Sequence, residues 1–384
     1  MMNYVKILNW IAFKNKSPFD ISVTEQRQLI ERLPAPVDLI ERSYSQYLCW
    51  RFCLLKFYRY ALNVCAGIVF PIWAAVYGLR KPPHRCSERP KALIDILPED
   101  PLFKTVPNSL KTESMRSVSW NKGWLRRDDF NLLCCIWRRH PFSSYFLLKC
   151  MVKIACYRYA TECYAPQSII VHNEYSFTSS ILTEWCHRNS IQHVNFMHGE
   201  RLFSARCSFF AYDKCYVWDE HYKRLYEKMQ AASEQFVIEV PDSLRISLEQ
   251  YVDNVCFADF KYILAIYSEA ELQHIVEAMG RLKRQGYSIR YRPHPRYSDI
   301  ALLRKYVTED EIEYPSSVSV EYSIANAGCV VGSYSTVLLQ AYLSGVKVVM
   351  DDITYRERYR ELNERDYILS NKEDILPLSV LIDG

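Results

Sequence analysis

The sequence predicts an α/β protein in which two doubly wound, parallel-sheet domains follow a helical amino-terminal region. Three observations predict it. The chain has 384 residues, more than one ordinary hydrophobic core organises. From about residue 165 onward, short apolar strand-like runs alternate with helical stretches, the pattern of a parallel sheet covered on both faces. In the last third, two strands run directly into polar loops, where such sheets bind their ligands. The boundaries that follow are a helical region over 1–127, a first α/β domain over 128–241, a linker over 242–260 and a second α/β domain over 261–384.

Taken in order, Val23–Leu33 has helical amphipathicity and Asp38–Cys65 reads as one long helix, closed by Pro82-Pro83. Residues 82–127 are irregular, broken by Pro90, Pro98, Pro101 and Pro107. Helical periodicity returns at Asp129–Arg139 and Phe142–Tyr164. Strands are then expected at Ser168–His172, Gln192–Met197, Lys214–Trp218 and Val237–Val240, with helices at Thr178–Arg188 and Glu220–Met229. A second series begins at Tyr262–Ile266. It continues through helix Glu269–Gln285, stopped by Gly286, strand Ser288–Arg292, helix Asp299–Val307 and a short strand near Ile312. Helix Val320–Ala327, strand Cys329–Val331, helix Ser335–Leu343 and strand Val346–Met350 complete it.

Composition narrows the function classes. Hydrophobic content of 49% and charged content of 24% are those of a globular protein. A net charge of +4 is too weak for a nucleic-acid partner and suits an acidic ligand or an anionic membrane surface. The 14 cysteines include no Cys-x-x-Cys and no zinc-ligand spacing, so reduced, mostly buried thiols in a cytoplasmic protein are expected, with no metal. The start of the sequence lacks the basic, apolar and small-residue pattern of a secretory signal. The uncharged run Tyr60–Leu79, flanked by Lys56, Arg59, Arg80 and Lys81, has roughly the length of one membrane span. Asn63, two glycines and Pro71 weigh against a span, leaving three readings: a span, an interfacial contact, or a buried helix.

The last third carries the chemistry. One strand ends in Arg290-Tyr291-Arg292-Pro293-His294-Pro295. Arg290, Arg292 and His294 share one parity, which suggests that this strand end opens into a polar cleft. The prolines hold His294 extended, so that its imidazole can bond a phosphate oxygen or protonate a departing phosphate. The second strand enters Gly332-Ser333-Tyr334-Ser335-Thr336 and then an apolar helix. Its hydroxyls, with the first amides of the helix, make an anion site. Arg292 and Arg296 are the expected cationic partners of the same phosphate. Ser268, which follows the first strand of this domain, and Glu321, at a helix start, are candidates for the nucleoside; each also reads as an ordinary helix-start residue.

In the first α/β domain, His172-Asn173-Glu174 and His198-Gly199-Glu200 follow two strands. Glu200, Glu174 and His198 are the candidates for a base that takes the proton of an acceptor hydroxyl, in no fixed order. Asp351-Asp352 follows the last good strand and reads as a solvated turn rather than a metal site.

Arg292-Pro293-His294-Pro295 and Gly332-Ser333-Tyr334-Ser335-Thr336 resemble the His-Pro and Ser motifs of bacterial sialyltransferases and polysialyltransferases. Bacterial Kdo transferases and teichoic-acid glycerophosphotransferases look similar in these loops. The resemblance spans roughly residues 165–370 and implies the GT-B glycosyltransferase architecture, two Rossmann-like domains facing across a cleft, with the donor in the carboxyl-terminal half and the acceptor on 128–241. It implies a metal-independent enzyme without a cofactor, in which His294 assists departure of the nucleotide phosphate while Ser333, Ser335 and Thr336 bind it. The expected activity is transfer of an acidic ulosonic acid, such as sialic acid or Kdo, from a CMP-activated donor to a glycan or lipid-linked glycan. The product would belong to a bacterial capsule, O-antigen or lipooligosaccharide, made in the cytoplasm or at the cytoplasmic face of the inner membrane. The acidic-acidic-Gly motif that supplies the base in those sialyltransferases is absent. Two alternatives stand beside this expectation: a UDP-sugar or CDP-alditol donor on the same fold, and a nonenzymatic partner in a membrane assembly.

Overall fold

The computed structural model describes residues 21–111, 114–252 and 257–383. They contain 13 α-helices and 11 β-strands and group into two units. One runs to His198 and resumes over Leu202–Val240; the other takes Gly199–Arg201 and the residues from Pro241 onward.

The first unit is built from helices α1 (Val23–Arg32), α2 (Leu39–Phe52), α3 (Lys56–Leu79), α4 (Arg127–Arg139), α5 (Ser144–Tyr164), α6 (Ser179–Arg188) and α7 (Glu220–Lys228). Its strands are β1 (Ala92–Ile94), β2 (Met115–Ser117), β3 (Ser168–Val171), β4 (Gln192–Phe196), β5 (Lys214–Val217) and β6 (Phe236–Ile238). All pairings are parallel, in the order β2-β1-β3-β4-β5-β6.

Two expectations change here. The helix expected over Asp38–Cys65 is two helices. Cys53 and Leu54 are buried in the break, and the Arg59 guanidinium takes over the carbonyls of Phe52 and Leu54, each at 3.0 Å, so the end of α2 is satisfied without another turn. The stretch over 82–127 is not wholly irregular. It contributes β1 and β2 to the same sheet as the strands of 128–241, so residue 127 falls inside one unit. Strands of three residues between prolines are too short to show alternation in sequence.

The interior of this unit includes paid-up polar pairs. Asp129 lies 2.9 Å from Arg158 and accepts from the Trp185 indole at 2.7 Å, joining α4, α5 and α6. His193 sits between Thr183 Oγ1 (2.8 Å) and Tyr157 Oη (3.0 Å). Burial pushes its pKa down to about 3, which makes it a neutral core histidine. Helix α3 is the one helix among the described residues that is long and apolar enough to cross a membrane.

The second unit contains β7 (Ala258–Ile263), α8 (Glu269–Arg284), β8 (Ile289–Arg292), α9 (Ile300–Leu303), α10 (Val320–Ala325) and β9 (Ala327–Gly332). It continues with α11 (Thr336–Leu343), β10 (Lys347–Met350), α12 (Arg356–Glu364), β11 (Leu376–Pro377) and α13 (Leu378–Asp383). The sheet order is β11-β10-β9-β7-β8, again all parallel. Phe260, Leu272, Ile275, Leu282 and Val331 lie in the core between sheet and helices. Strand β7 begins inside the stretch read as a linker over 242–260. The helix expected over Asp299–Val307 is a single turn, and the strand near Ile312 is one bridge, Tyr291 to Ile312.

Each sheet reverses its strand order once, between β1 and β3 in the first unit and between β7 and β9 in the second. The carboxyl ends of those pairs are where a doubly wound sheet leaves a crevice. The loops after β3 and β9 follow strands at these points, and those after β4 and β8 follow strands one place further out.

Candidate functional site

In the second unit, β9 delivers the Gly332–Thr336 loop to the reversal point. A Cβ on Gly332 would lie 3.4 Å from the Ile263 carbonyl at the end of β7, so the missing side chain lets the two strand ends close up. The Gly332 carbonyl accepts from Asp351 N at 2.9 Å. Ser335 caps α11, its Oγ accepting from Val337 N at 3.2 Å, and Thr336 begins the helix. The positive end of α11 therefore points out of this loop. Ser333 is the distinctive member: its Oγ is shut off from solvent and has no hydrogen-bond partner among the described residues. A buried hydroxyl without a partner is costly unless a ligand completes it.

The loop after β8 follows the outer neighbour of β7, on the opposite side of β7 from β9. The backbone N–H of His294 donates to Ser298 Oγ at 2.8 Å, and Ser298 Oγ donates to the Ala265 carbonyl at 2.8 Å. Tyr267 Oη donates to the Asp299 carbonyl at 2.7 Å. These bonds stitch the β7 and β8 loops together. The imidazole stacks on Tyr297, with centroids 4.5 Å apart, and its Nδ1 accepts from Arg296 N at 3.1 Å. That bond assigns the proton of the neutral ring to Nε2. Burial, with the Arg296 charge, lowers the His294 pKa. The loop thus presents a neutral N–H donor, which suits bonding to a phosphate oxygen better than delivering a proton to it.

Arg292 does not join the anion site. Its guanidinium is buried, with Nη1 2.8 Å from Glu313 and Nη2 2.9 Å from the Val318 carbonyl. Lys261 Nζ reaches the other Glu313 oxygen at 2.6 Å. Burial raises the Glu313 pKa, but the Lys261 ammonium and its hydrogen bond outweigh it and hold the carboxyl below its ordinary value. The alternation that placed Arg290 and Arg292 on one face holds; a glutamate from a later loop, rather than a ligand, explains the second arginine. Arg296 is exposed beside His294 and remains the cation of this loop.

Ser268 is spent on its helix, its Oγ and backbone N–H both bonded to Glu271 in a capping box at the start of α8. Glu321 lies half-buried in the first turn of α10. Arg292 holds Val318 just before that turn, which puts Glu321 at the carboxyl edge of the sheet. Asp351-Asp352 is not the solvated turn expected. Asp351 is fully buried, bonded to Tyr262 Oη and to the amides of Ile353 (2.9 Å) and Thr354 (2.8 Å). Asp352 holds Ser379 N at 2.9 Å. Among the described residues no group of three or more His, Cys, Asp or Glu is placed to hold a metal ion.

Glu200 differs from its expected placement. It belongs with the second unit, where its carboxylate is shielded from solvent beside Tyr367 and Tyr334 of the serine loop. Burial raises its pKa to about 8, against the opposing hydroxyl of Tyr367. Near neutral pH it is a carboxylic acid, able to donate a hydrogen bond beside the serine loop.

The first unit holds a separate polar cluster at its own reversal point. Asp95, directly after β1, places Oδ1 2.9 Å from His172 Nδ1, directly after β3. Asn173 Nδ2 donates to the other Asp95 oxygen at 3.1 Å, and Asn195 Oδ1 accepts from Asn173 N at 2.8 Å. His198 packs edge-on against His172, centroids 4.6 Å apart. A carboxylate on Nδ1 fixes the tautomer and stabilises the charged ring, which makes His172 a competent base through Nε2. Glu174 is fully buried, and its backbone carbonyl accepts from Gln46 Nε2 at 2.8 Å. Asp95 carries no signal in the sequence, and His172 stands there only as the residue before Asn173-Glu174, not as a candidate base. Asp95 follows a strand with no sequence signal, and the aspartate is what gives His172 its role.

No protein-family model matches the chain, and no curated protein matches it. Several solved structures are similar in backbone course. A UDP-GlcNAc 2-epimerase of Methanocaldococcus jannaschii aligns over 70% of this chain and 75% of its own, at 13% identity and a TM-score of 0.38. A GtfA/B complex aligns over 60% of this chain at 16% identity and a TM-score of 0.38, and this chain spans 52% of its counterpart's length. The wall teichoic acid polymerase TagF, as an H444N variant soaked with CDPG, aligns over 86% of this chain and 88% of its own, at 9% identity and a TM-score of 0.42. Likeness at this level does not bear on chemistry, which rests on the side chains described above.

Proposed function

We propose that this chain is a metal-independent glycosyltransferase that moves a sugar from a nucleotide-activated donor to a glycan hydroxyl in the synthesis of a cell-surface polysaccharide. The observation that carries this reading is the partnerless, buried hydroxyl of Ser333 between the end of β7 and the amino terminus of α11. The site offers hydroxyls, helix amides, the Nε2–H of His294 and the Arg296 cation to a donor phosphate. These groups stabilise charge as it builds on the departing nucleotide. Glu200, held protonated, adds one more donor beside the serine loop. In the first unit the Asp95–His172 pair has the chemistry to accept the proton of the attacking hydroxyl: His172 Nε2 takes it, and Asp95 balances the resulting charge.

The set recognises phosphate and is common to CMP-, CDP- and UDP-linked donors. A direct test incubates the protein with each donor class and a glycan acceptor and follows free nucleotide. Acceptor-dependent release from one class supports the reading and names the donor. No release from any class, with no nucleotide bound, favours the nonenzymatic partner.

A further inference from the structure

Helix α3 has two unlike sides. One is fastened to its own unit. Asn63 Nδ2 donates to the Phe142 carbonyl at 2.6 Å, and its Oδ1 accepts from Tyr145 N at 3.0 Å. Gly67 lies against Ser144 and Gly78 against Phe130. At the far end Leu125 N donates to the Tyr77 carbonyl at 3.2 Å, and Arg80 holds the Gly123 carbonyl at 3.0 Å. The other side is an apolar stripe open to solvent. Phe57, Tyr60, Val64, Ile68, Ile72, Val76 and Leu79 follow one another at three- and four-residue steps; Tyr60, Val64, Ile68 and Ile72 are 59–68% exposed and Val76 is 38% exposed. Such a stripe follows a single face of a helix about 36 Å long.

Along the chain, the charges that flank it have one sign. No Asp or Glu occurs between Glu41 and Glu88, while Arg51, Lys56, Arg59, Arg80, Lys81 and Arg85 frame the stripe. Trp73 on α3 and Trp137 on α4 are both substantially exposed, and Phe142 after α4 is 89% exposed. Between α3, α4 and α5 opens an apolar groove of about 310 Å³, lined by Gly67, Phe70, Phe130, Leu133, Trp137 and Leu147 among others. That volume is at the lower end of small-molecule pockets, roughly 300–1,000 Å³.

We infer that α3 docks this protein on an anionic lipid bilayer, lying in the plane of the interface with its stripe among the acyl chains, and that the α3–α4–α5 groove takes part of one lipid chain. Apolar area with an aromatic rim suits the boundary layer, and the basic frame suits acidic headgroups. The bonds of Asn63, Tyr77 and Arg80 to the rest of the unit argue for lying on the membrane: a crossing would have to break them and carry Asn63 into hydrocarbon. This inference does not depend on the proposed reaction.

Flotation with phosphatidylcholine vesicles, with and without phosphatidylglycerol, tests it on the full chain. The expected result is binding that requires phosphatidylglycerol, weakens with salt, and falls at least tenfold in Ile68→Glu/Ile72→Glu at an unchanged melting temperature. Vesicles with brominated acyl chains should quench the fluorescence of the wild type and quench Trp73→Phe/Trp137→Phe less. Equal flotation of the glutamate variant would overturn the inference. So would extraction by detergent alone and never by salt, which indicates a span. Absence of vesicle binding, with self-association that the glutamate variant abolishes, would assign the stripe to a second copy of the chain instead.

Discussion

Asp95 Oδ1 and His172 Nδ1 stand 2.9 Å apart, on the first residues after two neighbouring parallel strands. In the proposed reaction the pair is the base of the first unit, a role that neither residue fills alone. Asp95→Asn should lower transfer on the order of 10²-fold or more, the usual contribution of a positioned base, and His172→Ala should lower it comparably. Nucleotide binding should persist in both. Turnover measured beside nucleotide affinity checks this; a variant that loses binding and turnover together would place Asp95 in folding rather than proton transfer.

The Lys261–Glu313–Arg292 triad is an internal structure rather than part of the anion site. Glu313→Gln leaves two buried cations facing a neutral amide, so a loss of roughly 3–5 kcal/mol is expected. Arg296→Ala should do the reverse, weakening nucleotide binding with little change in melting temperature. Denaturant melts paired with nucleotide titrations separate the two.

This pair and this triad show what the sequence exposes and what it hides. The alternation from residue 165 and the polar strand ends located the serine and His-Pro loops; the first follows β9 at the reversal point of the second sheet and the second follows β8, one strand beyond β7. The fate of Arg292 was not legible, because Glu313 is 21 residues away and its role comes from tertiary packing. Asp95 was hidden for a similar reason, since β1 has three residues and no pattern. Glu200 read as an acceptor-side acid because it follows β4 in the chain, yet its contacts are with Tyr334 and Tyr367.

Glu200 sets a pH dependence of stability. Its folded pKa of about 8 exceeds the ordinary 4.5, so between these values the folded chain holds a proton that the unfolded chain has released. The favourable contribution is complete below pH 4.5 and is lost as pH rises toward 8, at a slope of at most about 1.4 kcal/mol per pH unit. Glu200→Gln should flatten that part of the profile. Melting temperatures across pH 5–9 in roughly unit steps check it, and an unchanged slope in the variant would rule out the buried acid.

His294 acts as a neutral Nε2–H donor in this account. Gln carries an amide N–H to about the position of Nε2, so His294→Gln should retain part of the nucleotide affinity, while His294→Ala should lose roughly tenfold, the equivalent of one hydrogen bond to a charged group. Calorimetric titration of both variants decides this; equal losses would point to a role for the ring beyond donation.

In the proposed reaction, Ser333 after β9 and His294 after β8 both hold the donor phosphate at the carboxyl ends of the second sheet. Thermal stabilisation by CMP, CDP, UDP and GDP, each with and without EDTA, on wild type, Ser333→Ala and His294→Ala, tests it most directly. At about a hundred times its dissociation constant, a bound nucleotide should add roughly 2.7 kcal/mol of stability. The expected result is stabilisation of the wild type by at least one nucleotide, insensitive to EDTA and sharply reduced in both variants. Stabilisation that both variants retain in full, or none from any nucleotide, would contradict it.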